Sequence, residues 1–330
     1  MTRIAVLGAG AFGTALAIQI ARRTGPTVLW GRQAEAMNRM QVARQNDRYL
    51  ADCHFPPELE ATANLDHALA AEHLLLAVPS HALGDTLATL APRLRPEQGL
   101  VCASKGLEPG RARLPHDIFR DHVGDAHRYA VLSGPTFARE MGMGLPTALV
   151  VASRDTDFAE TIGACLHGDG FIAYTSDDVP GVEIGGATKN VLAIAVGVAD
   201  GMRLGANTRA ALIARGLNEL VRLAEAAGAR AETLMGLSGL GDLVLTCTDD
   251  QSRNRRLGLR LGRGEEVDAA IAAIGTVEGA RAAPEVLRLA RRHRIHMPIS
   301  EQVAALLAGE ITAVQAVRAL AARSVRPETE

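Results

Sequence analysis

Short, continuously apolar runs alternate with stretches of helical pattern through the first half of this 330-residue chain, and that alternation limits the fold more than any other feature. Ile4-Ala5-Val6-Leu7 leads into a glycine-rich turn and an Ala/Ile/Leu helix. Thr27-Val28-Leu29-Trp30 leads into a polar helix. His73 to Val78 stops at Pro79, and Leu100 to Ser104, Tyr129 to Ser133, Thr147 to Ala152 and Phe171 to Thr175 follow. Runs without a polar side suit strands covered on both faces, so the pattern predicts a mostly parallel sheet between two helix layers. The character changes near Pro180-Gly181. Beyond it the chain is rich in Ala, Leu, Arg and Glu and helical in pattern, with breaks at Gly205, Gly228, Gly236 to Gly241, Gly262 to Gly264 and Gly275. The expected layout is α/β: a doubly wound sheet domain over residues 1–180, then an all-helical domain over 181–330. The polar tail, 323–330, is expected to fray.

Composition narrows the partners. The formal net charge is -2, so nothing global favours nucleic acid or an anionic membrane, and an anionic ligand must be caught by locally placed cations. Cys53, Cys102, Cys165 and Cys247 stand far apart, without a CxxC pair or metal-ligand spacing. They read as small buried hydrophobes in a reducing compartment, and no metal is expected. The start, Met1-Thr2-Arg3-Ile4, has no signal-peptide pattern. The most apolar helical stretch, Val191 to Ala199, is too short for the ~20 residues that a bilayer demands. A cytoplasmic protein without a membrane span is expected, and a homodimer is left open.

Gly8-Ala9-Gly10-Ala11-Phe12-Gly13 follows the first apolar run and opens a helix. Gly8 permits a tight turn, Gly10 lets the backbone approach a pyrophosphate, and Gly13 lets helix and strand pack closely. The helix start then offers N–H groups and a positive dipole end to phosphates. With strands and helices alternating behind it, the motif marks a Rossmann-type dinucleotide site. An acidic residue at the end of the second strand would select NAD; Gly31-Arg32 stands there instead. Arg32, with Arg22 or Arg23, is suited to a 2′-phosphate, so NADP(H) is expected to be preferred or at least accepted beside NAD(H). The plain alternative is a surface arginine stacking on adenine.

Four further segments carry chemistry. Ser104-Lys105-Gly106 ends the fourth run, where ligands of such sheets bind. Ser133-Gly134-Pro135-Thr136-Phe137-Ala138 follows the fifth, with the Thr136 hydroxyl expected free at the same edge. Gly185-Gly186-Ala187-Thr188-Lys189-Asn190 enters the most apolar helix; burial there would lower the lysine pKa toward proton transfer, and the small residues would leave room for a ligand. In Ser238-Gly239-Leu240-Gly241-Asp242, the carboxylate among apolar residues calls for a cation, and Lys189 is the candidate. The same segment runs on to Ser252-Arg253-Asn254, which lies where a helix begins and suits a phosphate. Arg255 and Arg256 read as a solvated face, and His81 as structural or surface. No Ser/His/Asp order or metal-ligand set emerges.

These segments, in this order and with Val277-Glu278-Gly279, resemble the NAD(P)-dependent glycerol-3-phosphate dehydrogenase family of bacterial type, from Ile4 to about Leu307. The resemblance implies that Lys189 is the acid–base lysine. It implies that Lys105, Gly134, Thr136, Lys189, Asp242, Ser252, Arg253 and Asn254 contact the glycerol phosphate. It places Gly8, Gly10, Ala11, Phe12, Gly13, Arg32, Lys105, Ala138, Arg253 and Glu278 on the dinucleotide, with Arg253 reaching both ligands. Ala11 stands where a serine is usual, so a hydroxyl contact is lost there while backbone binding survives. The implied reaction is reversible reduction of dihydroxyacetone phosphate to sn-glycerol 3-phosphate, feeding phospholipid synthesis. A 6-phosphogluconate or 2-ketopantoate type dehydrogenase would need a different polar set around the lysine, and a non-catalytic nicotinamide-binding protein would have no need of Lys189, Asp242 and Arg253 together.

Overall fold

Strand β1 (Ile4–Leu7) sends Ile4 and Val6 to one face of a sheet and Ala5 and Leu7 to the other, and all four are buried in two separate apolar cores. That is why no polar residue interrupts the run. The computed structural model describes residues 3–322, so the 323–330 tail lies outside the described residues. After β1 come α1 (Ala11–Thr24), β2 (Thr27–Trp30), α2 (Ala34–Ala43), β3 (Gln45–Asn46), β4 (Leu50–His54), β5 (Leu59–Thr62), α3 (Leu65–Leu69) and β6 (His73–Leu76). Then follow α4 (Leu83–Leu90), β7 (Gly99–Cys102), α5 (Pro115–Val123), β8 (Tyr129–Ser133), α6 (Ala138–Met143), β9 (Thr147–Ala152), α7 (Thr156–Leu166) and β10 (Phe171–Ser176).

Eight strands form one sheet in the order β10-β9-β8-β7-β6-β1-β2-β5. Every pairing is parallel except β8 with β9. One face is covered by α1 and α7 through Leu16, Ile20, Phe158 and Ile162, and the other by α4 and α5 through Leu83, Leu87, Ile118 and Phe119. The fold is a Rossmann-type sheet. Its strand order reverses direction at β1 and β6, and ligands of such sheets bind outside the carboxyl ends of strands at that switch. Two parts go beyond the expected seven strands. β5 pairs with β2 at the sheet edge, and the small hairpin β3/β4 forms a sheet of its own.

The helices continue with α8 (Val179–Gly201), α9 (Ala206–Ala226), α10 (Ala231–Met235), a π turn over Leu237–Gly241, α11 (Asp242–Thr248), α12 (Arg253–Gly262), α13 (Val267–Ile274), α14 (Glu278–His293), α15 (Pro298–Leu307) and α16 (Ala313–Ala321). The chain divides into two units, Met1–Glu108 with Leu114–Val182, and Pro109–Arg113 with Glu183–Glu330. The short Pro109–Arg113 segment belongs with the helices: Gly110 N donates to Glu285 Oε1 at 2.9 Å, and Arg292 Nη2 to the Arg111 carbonyl at 2.7 Å.

Two expectations about α8 are corrected. The apolar stretch is part of a 23-residue helix, long and apolar enough by length and composition to cross a bilayer. Its most apolar window is wholly buried inside the protein, as the core helix of a globular fold would be. Lys189 also does not enter the helix; it sits near the middle, ten residues after Val179. α8 crosses α12 through four glycines. A Cβ on Gly197 would lie 2.3 Å from the Arg255 carbonyl oxygen, and one on Gly258 2.2 Å from that of Ile194; Gly201 and Gly262 meet the opposite backbone at 2.4 and 2.2 Å. Only hydrogen fits at these positions, so two small-xxx-small patterns let the backbones touch and fix where α12 begins relative to Lys189.

Candidate active site

In the sheet unit, the site is built on strand ends. Gly8, at φ +123°, takes a conformation closed to other residues, and a Cβ there would lie 2.5 Å from the Ala77 carbonyl oxygen, just past β6. A Cβ on Gly13 would fall 2.0 Å from the Gly8 carbonyl oxygen, while one on Gly10 would meet nothing within 4 Å. Gly10 is the N-cap of α1 and supplies no side-chain cap, and the first turn carries no acid. The turn thus presents backbone donors and a positive dipole end to open space, and Ala11 leaves that intact. These residues fit a dinucleotide pyrophosphate.

Lys105 follows β7, where Nζ donates to the Gly134 carbonyl at 3.1 Å and lies 5.4 Å from the centre of the Phe12 ring. Thr136 Oγ1 donates to the same carbonyl at 3.2 Å, so the hydroxyl expected to be free has its proton engaged and keeps its lone pairs for a ligand. The structure therefore gathers Phe12, Lys105, Gly134 and Thr136 at the carboxyl edge, with Ala138 opening α6 next to them in sequence. Arg32 stands exposed after β2. Arg22 and Arg23 do not join it. They lie in the last turn of α1, about 20 Å of helix from the glycine loop by helical rise, where they donate to the carbonyls of Gly142 and His167.

In the helical unit, Lys189 is 7 % exposed and Asp242 1 %. Lys189 Nζ makes an ion pair with Asp242 Oδ1 and donates to Thr246 Oγ1 at 2.9 Å. Thr246 in turn donates to the Asp242 carbonyl at 2.6 Å. Asp242 and Thr246 are four residues apart on α11 and so share a face, which aims both at one ammonium. The carboxylate supplies the counter-charge that burial would otherwise withhold. The small residues before Lys189 serve packing: a Cβ on Gly185 would lie 2.4 Å from the Ser238 carbonyl oxygen, so this glycine admits the backbone of the π turn that leads to Asp242.

Next to Lys189, Asn190 Oδ1 accepts from Asn254 Nδ2 at 2.9 Å, and Asn254 Oδ1 accepts from Gly279 N at 2.8 Å. Asn190 Nδ2 reaches Glu278 Oε2 at 3.4 Å. Ser252 caps α12, its hydroxyl accepting from Arg255 N at 3.2 Å. Arg253, the first residue of the helix, is exposed beside it. The Asn190–Asn254 bond thus ties the start of α12 to the lysine's turn of α8.

One reading is overturned. Arg255 is not on a solvated face; it is 8 % exposed, paired with Asp200, and bonded to Asp250 Oδ1 at 2.9 Å and the Cys247 carbonyl at 3.0 Å. Arg209 Nε grips Asp200 from α9 at 2.9 Å. Burial works against ionising Asp200, but hydrogen bonds from Arg209 and Arg255 outweigh it and hold the carboxyl below its ordinary value. Arg256, by contrast, is exposed as expected. Thr246, Asn190 and Arg255 are the polar residues to which the sequence reading gave no role at the site. For Thr246 a signal existed in its i+4 spacing from Asp242; for the other two none did.

Among the described residues no cluster of ligating side chains suits a metal ion. A glycine cradle for a dinucleotide on one unit, and on the other a buried ammonium tied to a helix start suited to phosphate, place the chain among the two-unit nicotinamide-dependent dehydrogenases. Comparison with known proteins narrows that class. Residues 3–159 match the N-terminal and residues 178–318 the C-terminal region of NAD-dependent glycerol-3-phosphate dehydrogenase. A relative from Stenotrophomonas maltophilia, named glycerol-3-phosphate dehydrogenase [NAD(P)+], is 53% identical over 329 residues, 99% of this chain and 96% of its own. One from Xanthomonas campestris of the same name matches to the same extent. A crystal structure of glycerol-3-phosphate dehydrogenase from Coxiella burnetii superposes with a TM-score of 0.93 at 42% identity, covering 98% of this chain and 99% of that one. The chain belongs to the NAD-dependent glycerol-3-phosphate dehydrogenase family.

Proposed function

We propose that this chain reduces dihydroxyacetone phosphate to sn-glycerol 3-phosphate, reversibly, with Lys189 as the acid–base group. The observation that carries the assignment is the buried Lys189–Asp242–Thr246 set, joined through Asn190 and Asn254 to the first turn of α12. The sheet unit takes the dinucleotide role and the helical unit the substrate role. The fit of the loop around Gly8, Gly10 and Gly13 supports the first, and the exposed Arg253 at a helix start the second.

When bound, the nicotinamide supplies a hydride to the carbonyl carbon. Negative charge then grows on the carbonyl oxygen. Lys189 stabilises that charge and donates its proton there; in the reverse direction the amine accepts it. Asp242 and Thr246 hold the ammonium in one rotamer, so little reorganisation accompanies the transfer. Arg253 and the α12 N–H groups hold the substrate phosphate, which sets the carbonyl in register with Lys189. Lys105 and Thr136 supply a cation and hydroxyl lone pairs at the carboxyl edge of the sheet, and Ala11, Phe12 and Ala138 line the dinucleotide. Arg32 favours NADP(H). Four buried thiols suit a reducing, cytoplasmic compartment, and the product would supply glycerophospholipid synthesis.

The test is the fall in nicotinamide absorbance with NADPH, with and without dihydroxyacetone phosphate. Substrate-dependent oxidation is expected, and Lys189→Ala should lose several powers of ten in kcat while still binding NADPH. Near-full turnover of that variant would remove the assignment.

A further inference from the structure

We propose that Asn46, in the β3/β4 hairpin, is a positioning residue that locks the Ala9–Gly10 peptide so that the Gly10 N–H faces the dinucleotide phosphates. The inference rests on the reading of the Gly8–Gly13 loop as a dinucleotide site and adds a residue outside the loop to it.

Asn46 is fully buried. Its Nδ2 donates to the Ala9 carbonyl at 3.1 Å and to Thr14 Oγ1 at 2.8 Å, reaching both ends of the turn that opens α1. Both amide protons are therefore spent on the loop. The orientation of the amide follows from the chemistry: turned over, Oδ1 would face the Ala9 carbonyl, acceptor against acceptor.

The consequence lies in peptide geometry. The Ala9 C=O and the Gly10 N–H share one planar unit and point in opposite directions. Anchoring the oxygen inward, on a buried amide, aims the N–H outward. The space there is open, since a Cβ on Gly10 would meet nothing within 4 Å. Glycines flank Ala9 on both sides, so the local backbone does little to stop this peptide from turning over. Gly8 is held by its own bond to the Trp30 carbonyl at 2.9 Å, and Thr14 N by the Gly10 carbonyl at 2.9 Å. Those two bonds fix the ends of the turn and leave the Ala9–Gly10 unit to Asn46.

A second observation points the same way. Asn46 Oδ1 is buried and has no hydrogen-bond partner among the described residues. A stranded buried carbonyl is unfavourable, and an apolar side chain of similar size would avoid it. The position keeps an amide despite that penalty, which fits a residue retained for its two donors. The hairpin itself is firmly seated. A Cβ on Gly142 of α6 would lie 2.7 Å from Cys53 Sγ, so β4 packs tightly against that helix.

The experiment compares NADPH binding, by fluorescence titration, in the wild-type chain, Asn46→Leu and Asn46→Asp, together with melting temperature and the KM for dihydroxyacetone phosphate at saturating NADPH. Asn46→Leu should raise the NADPH Kd about tenfold, the worth of one hydrogen bond near the upper end of the usual range. Asn46→Asp should raise it further at neutral pH, because an ionised carboxylate would repel the Ala9 oxygen. Its deficit relative to wild type should narrow as pH falls, because burial and the facing Ala9 oxygen raise the carboxyl pKa and the protonated acid can donate. The substrate KM should stay within about twofold at saturating NADPH, since a residue of this role acts on the dinucleotide alone. If wild type binds NADPH and both variants bind it equally well, the role of Asn46 is overturned. A melting temperature and substrate KM that worsen in step with Kd, with no difference between Leu and Asp, also overturn it in favour of a merely structural residue. Should wild type itself fail to bind, the loop reading falls instead. If neither variant folds, Asn46→Ser, whose hydroxyl is too short to reach Ala9, gives the same comparison.

Discussion

Replacing Asp242 by leucine strands the Lys189 ammonium inside the helical unit. With the two residues 1 % and 7 % exposed, water cannot take the place of the lost carboxylate. Removing one partner of a buried pair costs about 3–5 kcal/mol, a large share of the ~5–15 kcal/mol that holds a typical domain folded. Lys189→Met should cost a similar amount by leaving the carboxylate unpaired. The double variant Lys189→Met/Asp242→Leu should recover most of that loss, because a well-packed apolar pair is often as stable as a buried ionic one. It should nevertheless remain inactive, since the proton donor is gone. Urea unfolding of the four proteins closes the cycle, followed by far-UV circular dichroism for the helices. Trp30, the single tryptophan, lies in β2 and reports the sheet unit separately. If each single variant falls within about 1 kcal/mol of wild type, or the double variant is as unstable as the sum of the two, the reasoning about a coupled buried pair fails.

Three further outcomes follow from named contacts. Arg32→Asp should shift the NADPH-to-NADH affinity ratio about ten- to a hundredfold toward NADH, the worth of a charge-assisted bond to the 2′-phosphate; an unchanged ratio, measured by paired titrations, removes the arginine from that role. Gly197→Ala places a methyl 2.3 Å from the Arg255 carbonyl, and should cost about 1–3 kcal/mol by overpacking. It should also raise the KM for dihydroxyacetone phosphate more than it lowers kcat, because it displaces the start of α12; melting curves and steady-state kinetics read the two effects. Asp200 is held below its ordinary carboxyl value of 3.8 by Arg209 and Arg255. Its ionised form therefore adds stability above about pH 4, and that contribution is lost as pH falls through the depressed value. Asp200→Asn should be less stable than wild type at neutral pH, with the gap closing in acid, as unfolding across the pH range would reveal.

Much of the sheet was legible because its inner strands are covered on both faces and are dominated by apolar residues: Ile4 to Leu7 and Tyr129 to Ser133 read directly as strands. β5 was not legible. Leu59-Glu60-Ala61-Thr62 sits at the sheet edge with Glu60 exposed, and two apolar residues in four make no run. The hairpin β3/β4 is shorter still, and its Asn46 matters through a contact to Ala9 that is 37 residues away in sequence. Lys189 and Asp242 could be paired from sequence, because each is a charge among apolar neighbours and each needs the other. Arg255 misled for the opposite reason. It stands in the run Arg253-Asn254-Arg255-Arg256, where adjacent arginines suggest solvent, and successive residues of a helix point about a hundred degrees apart. Its partner Asp200 lies 55 positions away and at the far end of α8. The same holds for the four glycines at the α8/α12 crossing: Gly262 was read as a break and Gly197, Gly201 and Gly258 were passed over, because a glycine that ends a helix and one that lets two helices touch look alike in a single sequence.

All four cysteines are at most 2 % exposed, and burial pushes the Cys247 thiol up to about 12. Thiolate, the form that maleimides attack, is scarce on such a protein. A single cysteine engineered onto the outside would therefore be the one group a dye takes up. Placed near the β3/β4 hairpin, whose Asn46 bonds the Ala9 carbonyl, that dye would test whether the coenzyme arrives beside it, without any native sulfur being removed.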